Sequence, residues 1–332
     1  MNALAQRLGI EFPLIQAGMG GIAGVELAVA VADAGAGGVL GLYRSAPTVI
    51  TELIARARRL TTRPLGVNLI PELVGERALA GQIAAVLEAS DPSLFFTFYG
   101  LPDAHAADTV KDAGRALMVM VGDIEAMTAA EALGADAVIL QGIEAGGHLL
   151  GSQRLDSLVD EALALGGALP LVASGGIASG ARFRALHERG ISGCLCGTLF
   201  VATVQSMAHP LYKDKLVAAG PQDTVVTRVF DIGWPDRRHR VLRNKLTALG
   251  GKVLPNRFIA CSTVNGTRHP LPRYSAMVPG RLTEGAIDEM AMYCGESVSG
   301  VDAVVDAGAL VERFVEEFQG HRAAAQAEGV GT

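Results

Sequence analysis

Residues 137–148 read AVILQGIEAGGH, an unbroken apolar run followed by a glutamine, a glycine-rich loop and a histidine. A run that is apolar at every position is typical of a parallel strand covered on both faces. The loop follows the carboxyl end of that strand, which is where parallel α/β folds place their binding sites. This stretch therefore predicts an α/β fold and marks one place for chemistry.

Seven further runs of the same kind predict the remaining strands. They are Pro13–Met19, Gly38–Leu42, Leu65–Leu69, Leu94–Tyr99, Leu117–Val121, Leu171–Ser174 and Gly193–Gly197, beside Ala137–Gln141 itself. Eight strand-helix units in about 210 residues favour a closed (β/α)8 TIM barrel over a doubly wound sheet.

Segments with helical spacing alternate with these strands. Examples are Pro47–Leu60 behind a predicted cap at Ser45, Ala78–Leu87 and Ala181–Arg189. Several helices are expected to end at a glycine that adopts a left-handed conformation. These glycines are Gly35, Gly114, Gly134 and Gly190.

The regular alternation stops after residue 219, and the following segment is richer in arginine and proline. We therefore predict a barrel formed by residues 1–220 and 300–332, with a smaller substrate-covering subdomain at 221–299. A last helix, Ala303–Gln319, is expected to pack back on the barrel.

Composition narrows the class of protein. The 332 residues are 50% hydrophobic and 19% charged, which is enough apolar material for a large core. A net charge of -6 offers no general attraction to nucleic acid or anionic lipid. The four cysteines form no CxxC pair, and the sequence shows neither a leader nor an apolar run of about 20 residues. A cytoplasmic protein with no membrane or nucleic-acid partner is expected; the oligomeric state, a homodimer included, stays open.

Three strand ends are unusually rich in glycine: residues 16–21, 141–148 and 174–178, the last reinforced by Gly197 and Thr198. Glycines after strands seven and eight let backbone N–H groups approach a phosphate. The alternative for any single glycine is that it only closes a tight turn. Three such loops on the correct strand ends favour the phosphate site.

His148 follows two of these glycines, and an imidazole with a reference pKa of about 6.5 can serve as a general base or hydrogen-bond donor. The alternative is an exposed loop histidine. The other histidines show no metal-ligand spacing, so no metal site is predicted. Among them, His187 is expected on a helix surface and His321 in a polar tail.

Polar residues inside apolar runs need hydrogen-bond partners. Asn68 in its strand could bond either a cofactor ring or the barrel backbone, and Gln16 and Gln141 are expected to point toward the barrel mouth. Arginines 237, 238, 240 and 243 lie near Trp234; they could grip an anionic co-substrate, but clustered arginines are more often solvated or salt-bridged. We leave their role unassigned.

Five motifs together resemble the nitronate monooxygenase family, formerly called 2-nitropropane dioxygenases. They are PLIQAGM (13–19), RPLGVNL (63–69), EAGGH (144–148), ASGGIA (173–178) and GTLFVAT (197–203). The family is related to FMN-dependent enoyl-ACP reductases and NADH:quinone reductases. Two departures stand out, since Gly18 replaces a frequent proline and strand five carries Met120 and Val121 where some relatives have a lysine.

The resemblance implies FMN as cofactor and His148 as the catalytic residue. The cofactor-binding residues that it implies are Gly18, Met19, Gly20, Asn68, Gln141, Gly146, Gly147, Ser174, Gly175, Gly176, Gly197 and Thr198. The implied reaction is oxidation of alkyl nitronates with O2 to carbonyl compounds and nitrite. Two alternatives stay open: an NAD(P)H-dependent reductase of quinones or activated alkenes, and a flavin- or phosphate-binding barrel without redox turnover.

Overall fold

A computed structural model of the chain describes residues 2–249, 252–264 and 267–320, so His321 lies outside the described residues. The strands within these ranges are β1 (Leu14–Gln16), β2 (Gly38–Gly41), β3 (Leu65–Leu69), β4 (Phe95–Tyr99), β5 (Leu117–Val121), β6 (Ala137–Gln141), β7 (Gly147–His148), β8 (Leu171–Ser174), β9 (Gly193–Cys196), β10 (Thr224–Thr227), β11 (His239–Leu242), β12 (Phe258–Val264), β13 (Thr267–Pro272) and β14 (Thr283–Gly285).

The α-helices in the same ranges are α1 (Ala3–Leu8), α2 (Val25–Asp33), α3 (Pro47–Leu60), α4 (Pro71–Val74), α5 (Glu76–Ala89), α6 (Ala104–Asp112), α7 (Ile124–Ala132), α8 (Leu155–Leu165), α9 (Gly180–Glu188), α10 (Thr198–Val201), α11 (Pro210–Ala218) and α12 (Ala307–Gln319). Short 3-10 turns cover Pro221–Asp223, Thr247–Leu249, Ile287–Glu289 and Glu296–Gly300.

The parallel strands form the predicted TIM barrel. In the described part of the chain their order is β1-β9-β8-β6-β5-β4-β3-β2, eight strands in one sheet. The sheet closes on itself because the N–H of Gln16 donates to the Gly37 carbonyl and the N–H of Gly37 donates to the Leu14 carbonyl, both at 2.8 Å. The eight predicted strands all exist, and the structure trims only their ends, by up to three residues.

The strands separate two apolar cores. One lies inside the barrel, where Ile15, Val39 and Phe95 pack together and α1 closes the bottom with Leu4 and Leu8. The other lies between the strands and the surrounding helices. Burial on both faces explains why the strand sequences are apolar at every position.

One glycine makes room for the inner core. A Cβ built on Gly66 would lie 2.4 Å from the ring of Phe95, so only glycine lets this ring occupy the barrel interior.

The helices follow the sequence pattern closely, with one wrong cap. The predicted range Pro47–Leu60 is confirmed, but its N-cap is Ala46 rather than Ser45, and no side chain caps it. Pro47 at the first position lacks an N–H, so one of the donors that a cap would satisfy is absent.

The predicted left-handed glycines are confirmed. Their φ angles are 84°, 72°, 73° and 115° for Gly35, Gly114, Gly134 and Gly190.

The last helix starts later than predicted, at Ala307 instead of Ala303. Asp306 caps it, since its carboxylate accepts hydrogen bonds from the N–H groups of Gly308 and Ala309. The helix packs on α9 and α2, and the ring of Phe314 lies 6.3 Å from that of Phe183. The C-terminal helix therefore returns to the barrel wall, as the sequence indicates.

Residues 221–299 contribute strands to two small sheets. Strands β10, β11 and β7 make one, and β13, β12 and β14 make the other. Because β7 is Gly147–His148, the first sheet joins this segment to the loop after β6.

Candidate active site at the barrel mouth

A large cavity, of about 800 Å³, opens at the carboxyl ends of the barrel strands. This size is within the range of small-molecule sites. Of the thirteen residues predicted for catalysis or cofactor binding, all but Gly176 line it. The structure therefore brings together residues from sequence positions 18 to 198.

His148 is buried in the cavity wall, not exposed on a loop. Its side chain is 7% exposed, and its ring stacks on Trp234 with the centroids 3.7 Å apart and the planes 18° apart. Its Nε2 atom has no hydrogen-bond partner among the described residues. The alternative of a solvent-facing histidine is wrong, and the unpaired nitrogen belongs to a side chain that lines the cavity.

Backbone pairing fixes the position of this histidine. His148 pairs with His239 and Gly147 with Arg240 in the antiparallel ladder of β7 and β11. The N–H of Leu149 extends the ladder by donating to the Arg238 carbonyl at 2.9 Å. The loop after β6 is thus held by backbone pairing to residues 238–240.

Gln141 holds the same loop from the barrel side. Its amide nitrogen donates to the His148 carbonyl at 3.0 Å, and its amide oxygen accepts from the N–H of Leu150 at 2.8 Å. The side chain lines the cavity as predicted, but its hydrogen bonds go to the protein backbone. Its first role in this structure is to position His148.

The imidazole of His148 is neutral over the whole physiological range. Burial first, and then the neighbouring His239, Arg44 and Arg237, together lower its pKa to about 2. The expectation of proton exchange near its reference pKa is therefore wrong for the free protein. A proton can be held there only when a negative charge is brought beside it.

The indole of Trp234 is fixed from behind. Its Nε1 donates to Glu72 Oε1 at 2.9 Å, and Glu72 also pairs with Arg237. Tyr99 meets the same indole edge-on at 5.4 Å. An aromatic wall, defined here as His148, Trp234, Tyr99 and Tyr293, closes this end of the cavity.

The glycine turns after β8 serve packing as well as access. Gly175 and Gly176 have φ angles of 108° and 67°, which only glycine adopts readily. A Cβ on Gly175 would lie 2.9 Å from the nitrogen of Ala145, and one on Gly176 would lie 3.1 Å from the Cβ of Glu144. Tight packing against the loop after β6 thus explains both, and Gly175 also lines the cavity.

The first glycine loop is also closely packed. A Cβ on Gly18 would lie 2.2 Å from the Cβ of Asn68, and one on Gly20 would lie 2.2 Å from the hydroxyl oxygen of Tyr43. Gly18 stands where the family often has a proline, and losing a proline would be expected to loosen the loop. The close packing shows that the loop is not loosened. Gly18 lets the loop approach Asn68.

Asn68 and Gln16 differ in where they point. The amide nitrogen of Asn68 donates to the Thr97 hydroxyl at 3.1 Å, while the side chain lines the cavity. Gln16 is fully buried and is not part of the cavity lining; it accepts from the N–H of Val39 at 3.1 Å and donates to the Ala17 carbonyl. The register of β1 places Ile15 inside the barrel, so the prediction that Gln16 points toward the mouth is wrong.

The arginine cluster is engaged with the protein itself. Arg237 pairs with Glu72, Arg238 donates to the Gly151 carbonyl, and Arg243 donates to the Gln222 carbonyl. Arg240 is buried and donates twice to the Ile143 carbonyl, at 3.0 and 2.9 Å. It also pairs with Glu296 at 3.2 Å. Arg237 and Arg240 are thus salt-bridged, whereas Arg238 and Arg243 bond backbone carbonyls, and none of the four lines the cavity.

Two other arginines bring positive charge to the cavity. Arg44 and Arg281 line it and donate to backbone carbonyls of Gly233 and Ser206. Glu26 is the acidic residue of the lining, and it pairs with Arg56. In a chain of net charge -6, this cavity suits an anionic ligand.

Sequence reasoning missed several of these residues. Tyr99 ends a predicted strand and precedes a glycine, the same signal that singled out Gln141, so it could have been found. Tyr43, Arg44 and Tyr293 carry no comparable signal, because their place in the site depends on tertiary packing.

Residues 2–249, 252–264 and 267–320 contain neither a metal-binding cluster nor a helix that could cross a membrane. No cluster of three His, Cys, Asp or Glu side chains is arranged to hold a metal ion. No helix there is long and apolar enough to span a bilayer.

Comparison with known proteins places this site in a family. The sequence matches the nitronate monooxygenase family over residues 2–78 and 71–317. The chain belongs to the nitronate monooxygenase family. This family member is 29% identical to the nitronate monooxygenase of Pseudomonas aeruginosa, over 94% of this chain and 98% of that protein.

A second relative is a dehydrogenase. The (3aS,4S,5R,7aS)-5-hydroxy-7a-methyl-1-oxo-octahydro-1H-indene-4-carboxyl-CoA dehydrogenase of Mycobacterium tuberculosis is 34% identical over 251 residues. The match covers 73% of this family member and 66% of the length of that protein.

Solved structures agree with the fold. FabK from Thermotoga maritima matches with a TM-score of 0.80 and 27% identity, over 99% of both chains. Nitroalkane oxidase from Streptomyces ansochromogenes matches with a TM-score of 0.76 and 26% identity, over 97% of this chain and 99% of that one. This member of the nitronate monooxygenase family is therefore an oxidoreductase with a TIM-barrel fold.

Proposed function

We propose that this chain is an FMN-dependent nitronate monooxygenase, which oxidises alkyl nitronates with O2 to carbonyl compounds and nitrite. The observation that carries the proposal is the buried imidazole of His148, whose Nε2 is unpaired in the wall of a cavity of about 800 Å³. Such a group is suited to act on a small organic substrate held in front of it.

The residues of the cavity fit a flavin mononucleotide. Backbone from Gly18 to Gly20 and from Gly146 to Gly147 lines one wall and offers close approach to a flat ring. Ser174, Gly175, Gly197 and Thr198 line the region after the last two barrel strands, where TIM barrels bind phosphate. FMN, when bound, supplies the electron acceptor that the side chains lack.

The chain's own contribution is binding, positioning and proton handling. A nitronate is already an anion, so it needs no base, and the cavity arginines favour its entry. A neutral nitroalkane must lose its α-proton, and His148 Nε2 is the acceptor. The aromatic wall excludes water from this end of the cavity, which strengthens the electrostatic interactions there.

Residues 221–299 are proposed to act as the substrate-covering subdomain. Trp234, Ala276 and Tyr293 of this segment line the cavity, and β11 pairs with the strand that carries His148.

A second candidate is an NAD(P)H-dependent reductase that uses the same FMN to reduce quinones or activated alkenes. The likeness to FabK over 99% of both chains favours it, as does the apolar mouth formed by Met207, Met277 and Leu282. The two candidates share the barrel wall and differ in the electron donor.

Anaerobic absorption spectra separate the candidates. For the monooxygenase, adding propyl-1-nitronate bleaches the flavin band and adding NADH or NADPH does not. Rapid bleaching by a nicotinamide nucleotide alone contradicts the monooxygenase proposal and supports the reductase. A yellow protein that responds to neither is a flavin carrier, and a colourless protein with an empty flavin spectrum contradicts the cofactor assignment.

A further inference from the structure

The cavity wall contains two buried polar groups without a partner in the described part of the chain. They are the Nε2 of His148 and the hydroxyl of Tyr99, on side chains that are 7% and 8% exposed. Gln82 and Arg115 each leave one buried atom without a hydrogen bond as well, yet these side chains bond through their other atoms. Arg58 Nε also lacks a hydrogen bond, but it lies 3.1 Å from the carboxylate of Asp91. The hydroxyl is the only polar group that Tyr99 has.

An unpaired buried hydroxyl is costly. Leaving it without a partner destabilises the folded protein by about 1–3 kcal/mol. Phenylalanine would fill the same space without that cost. A hydroxyl at this position is therefore explained best by a bond that forms only when a ligand is present.

Tyr99 and His148 lie on the same part of the cavity wall. Tyr99 ends β4, and its ring meets Trp234 edge-on, with centroids 5.4 Å apart and planes at 77°. His148 stacks on the face of the same indole at 3.7 Å. Both side chains contact the same indole and line the same cavity, so one ligand in this cavity can meet both.

The two groups differ in what they offer. Burial raises the pKa of Tyr99, so its hydroxyl stays protonated and donates a hydrogen bond at any physiological pH. His148 is neutral and has a nitrogen lone pair. The lining around Trp234 thus offers both a hydrogen-bond donor and a proton acceptor.

We propose that Tyr99 is a substrate-binding residue, whose hydroxyl donates a hydrogen bond to an oxygen of the nitro or nitronate group while His148 faces the α-carbon. This inference rests on the proposed function. With a nitroalkane, the α-carbon–hydrogen bond breaks and its proton moves to His148 Nε2. The electron pair of that bond spreads onto the nitro oxygens, one of which accepts the hydrogen bond from Tyr99.

The two substrates then depend on Tyr99 in different ways. With a nitroalkane, negative charge develops on the oxygens only as the proton leaves, so the hydroxyl stabilises the transition state and raises kcat. With a nitronate, the charge is present from the start, so the hydroxyl improves binding and lowers KM. A residue with a purely structural role would not produce this division.

The test compares Tyr99→Phe with Tyr274→Phe in the flavin-loaded protein. Tyr274 lies outside the cavity lining, and its hydroxyl donates to the Leu254 carbonyl at 2.9 Å. Butyrate is the probe, because its planar carboxylate resembles a nitronate and is not oxidised. Its dissociation constant is read from the change in the flavin absorption spectrum, which requires no turnover.

For Tyr99→Phe we expect a butyrate dissociation constant about 10-fold higher, and an unchanged or higher Tm. The kcat for a nitroalkane should fall about 10²-fold, whereas a nitronate should show mainly a raised KM. Tyr274→Phe should lower Tm and leave butyrate binding unchanged.

Equal butyrate affinity in wild type and Tyr99→Phe overturns the proposal, and so does a wild type that binds no butyrate. A fall in Tm like that of Tyr274→Phe, with no change in affinity, assigns the hydroxyl a structural role instead. If the wild type oxidises neither nitronates nor nitroalkanes but needs Tyr99 to bind butyrate, the proposed function fails. In that case Tyr99 still binds a planar anion, but the anion is not a nitronate.

Discussion

The barrel side of the cavity consists mainly of backbone turns, whereas the side contributed by residues 221–299 consists mainly of side chains. Gly18, Gly20 and Gly175 leave no space for a side chain in this backbone, so their identity is visible in the sequence. Trp234 and Tyr293 act through their rings, and what surrounds them comes from distant parts of the chain. A binding site formed by backbone turns therefore produces a recognisable sequence motif, whereas a binding site formed by packed side chains produces almost no local sequence signal.

His148 belongs to both sides, and replacing it has the largest expected effect. In His148→Asn we expect kcat/KM for a nitroalkane to fall about 10³-fold, because the proton acceptor is lost. Turnover of the corresponding nitronate should change far less, since that substrate needs no base. Steady-state rates with both substrates measure this, and His187→Asn on the exposed face of α9 is the control. Equal losses on both substrates would refute the role as base.

The covering side is tested by Arg240→Met. This substitution removes the two hydrogen bonds to the Ile143 carbonyl and leaves Glu296 without its buried partner. We expect the free energy of unfolding to drop by about 3 kcal/mol. Urea unfolding measures the change.

Arg243→Met serves as the matched control, because Arg243 is exposed and donates once, to the Gln222 carbonyl. If both variants lose the same stability, the contacts of Arg240 with the Ile143 carbonyl and Glu296 do not stabilise the fold as proposed.

The barrel side is tested by Gly18→Ala. The added methyl group would lie 2.2 Å from the Cβ of Asn68, so the loop must move. We expect a loss of about 2 kcal/mol in stability and weaker flavin retention, measured by thermal unfolding and by flavin release on dilution. Gly81→Ala, in the middle of α5, should be neutral or stabilising, because the added Cβ would lie 3.7 Å from the Cγ of Pro47, an ordinary contact. A Gly18→Ala protein that keeps its flavin like the wild type would argue against a close-packed loop.

The smallest expected effect is a pH dependence shared by the two sides. Burial lowers the pKa of His148 to about 2 and that of His239 to about 4. The unfolded chain binds these protons near pH 6.5, whereas the folded protein does not, so stability falls as the pH decreases below about 6.5. Each histidine should cost at most about 1.4 kcal/mol at pH 5.5.

Urea unfolding at pH 7.5 and 5.5 measures this loss in the wild type, in His239→Gln and in His187→Gln. The first variant should lose part of the acid sensitivity and the second should keep all of it. An unchanged acid sensitivity in His239→Gln contradicts the assignment.

Much of the fold follows from the sequence because each local signal has one structural solution. Runs such as Leu117–Val121 can only be strands buried on both faces, and glycines such as Gly114 end helices in a left-handed conformation. The predictions for Ser45 and Gln16 failed because a local signal does not fix a position to within one residue. The helix begins one residue later than Ser45 would cap, and the side chain of Gln16 lies on the opposite face of its strand from the one predicted.

The part of the site that lies at the ends of the barrel strands could be predicted from the sequence. Asn68, Gln141 and Ser174 line the cavity because alternate residues of each strand face the barrel interior. The neutral state of His148 could not be predicted, because it depends on burial against Trp234 and on the proximity of His239. Those contacts join positions about ninety residues apart in sequence, beyond the reach of local patterns.

The pairing of Gly147–His148 with residues 239–240 has a consequence for exchanging parts between members of the family. In a chimaera whose residues 221–299 come from another protein, the cavity wall would change. The strand that pairs with the backbone of His148 would change as well. A one-residue offset in the donor's strand would turn the imidazole to the other face of the ladder. Grafts should therefore begin and end outside this short ladder, so that the recipient keeps its own alignment.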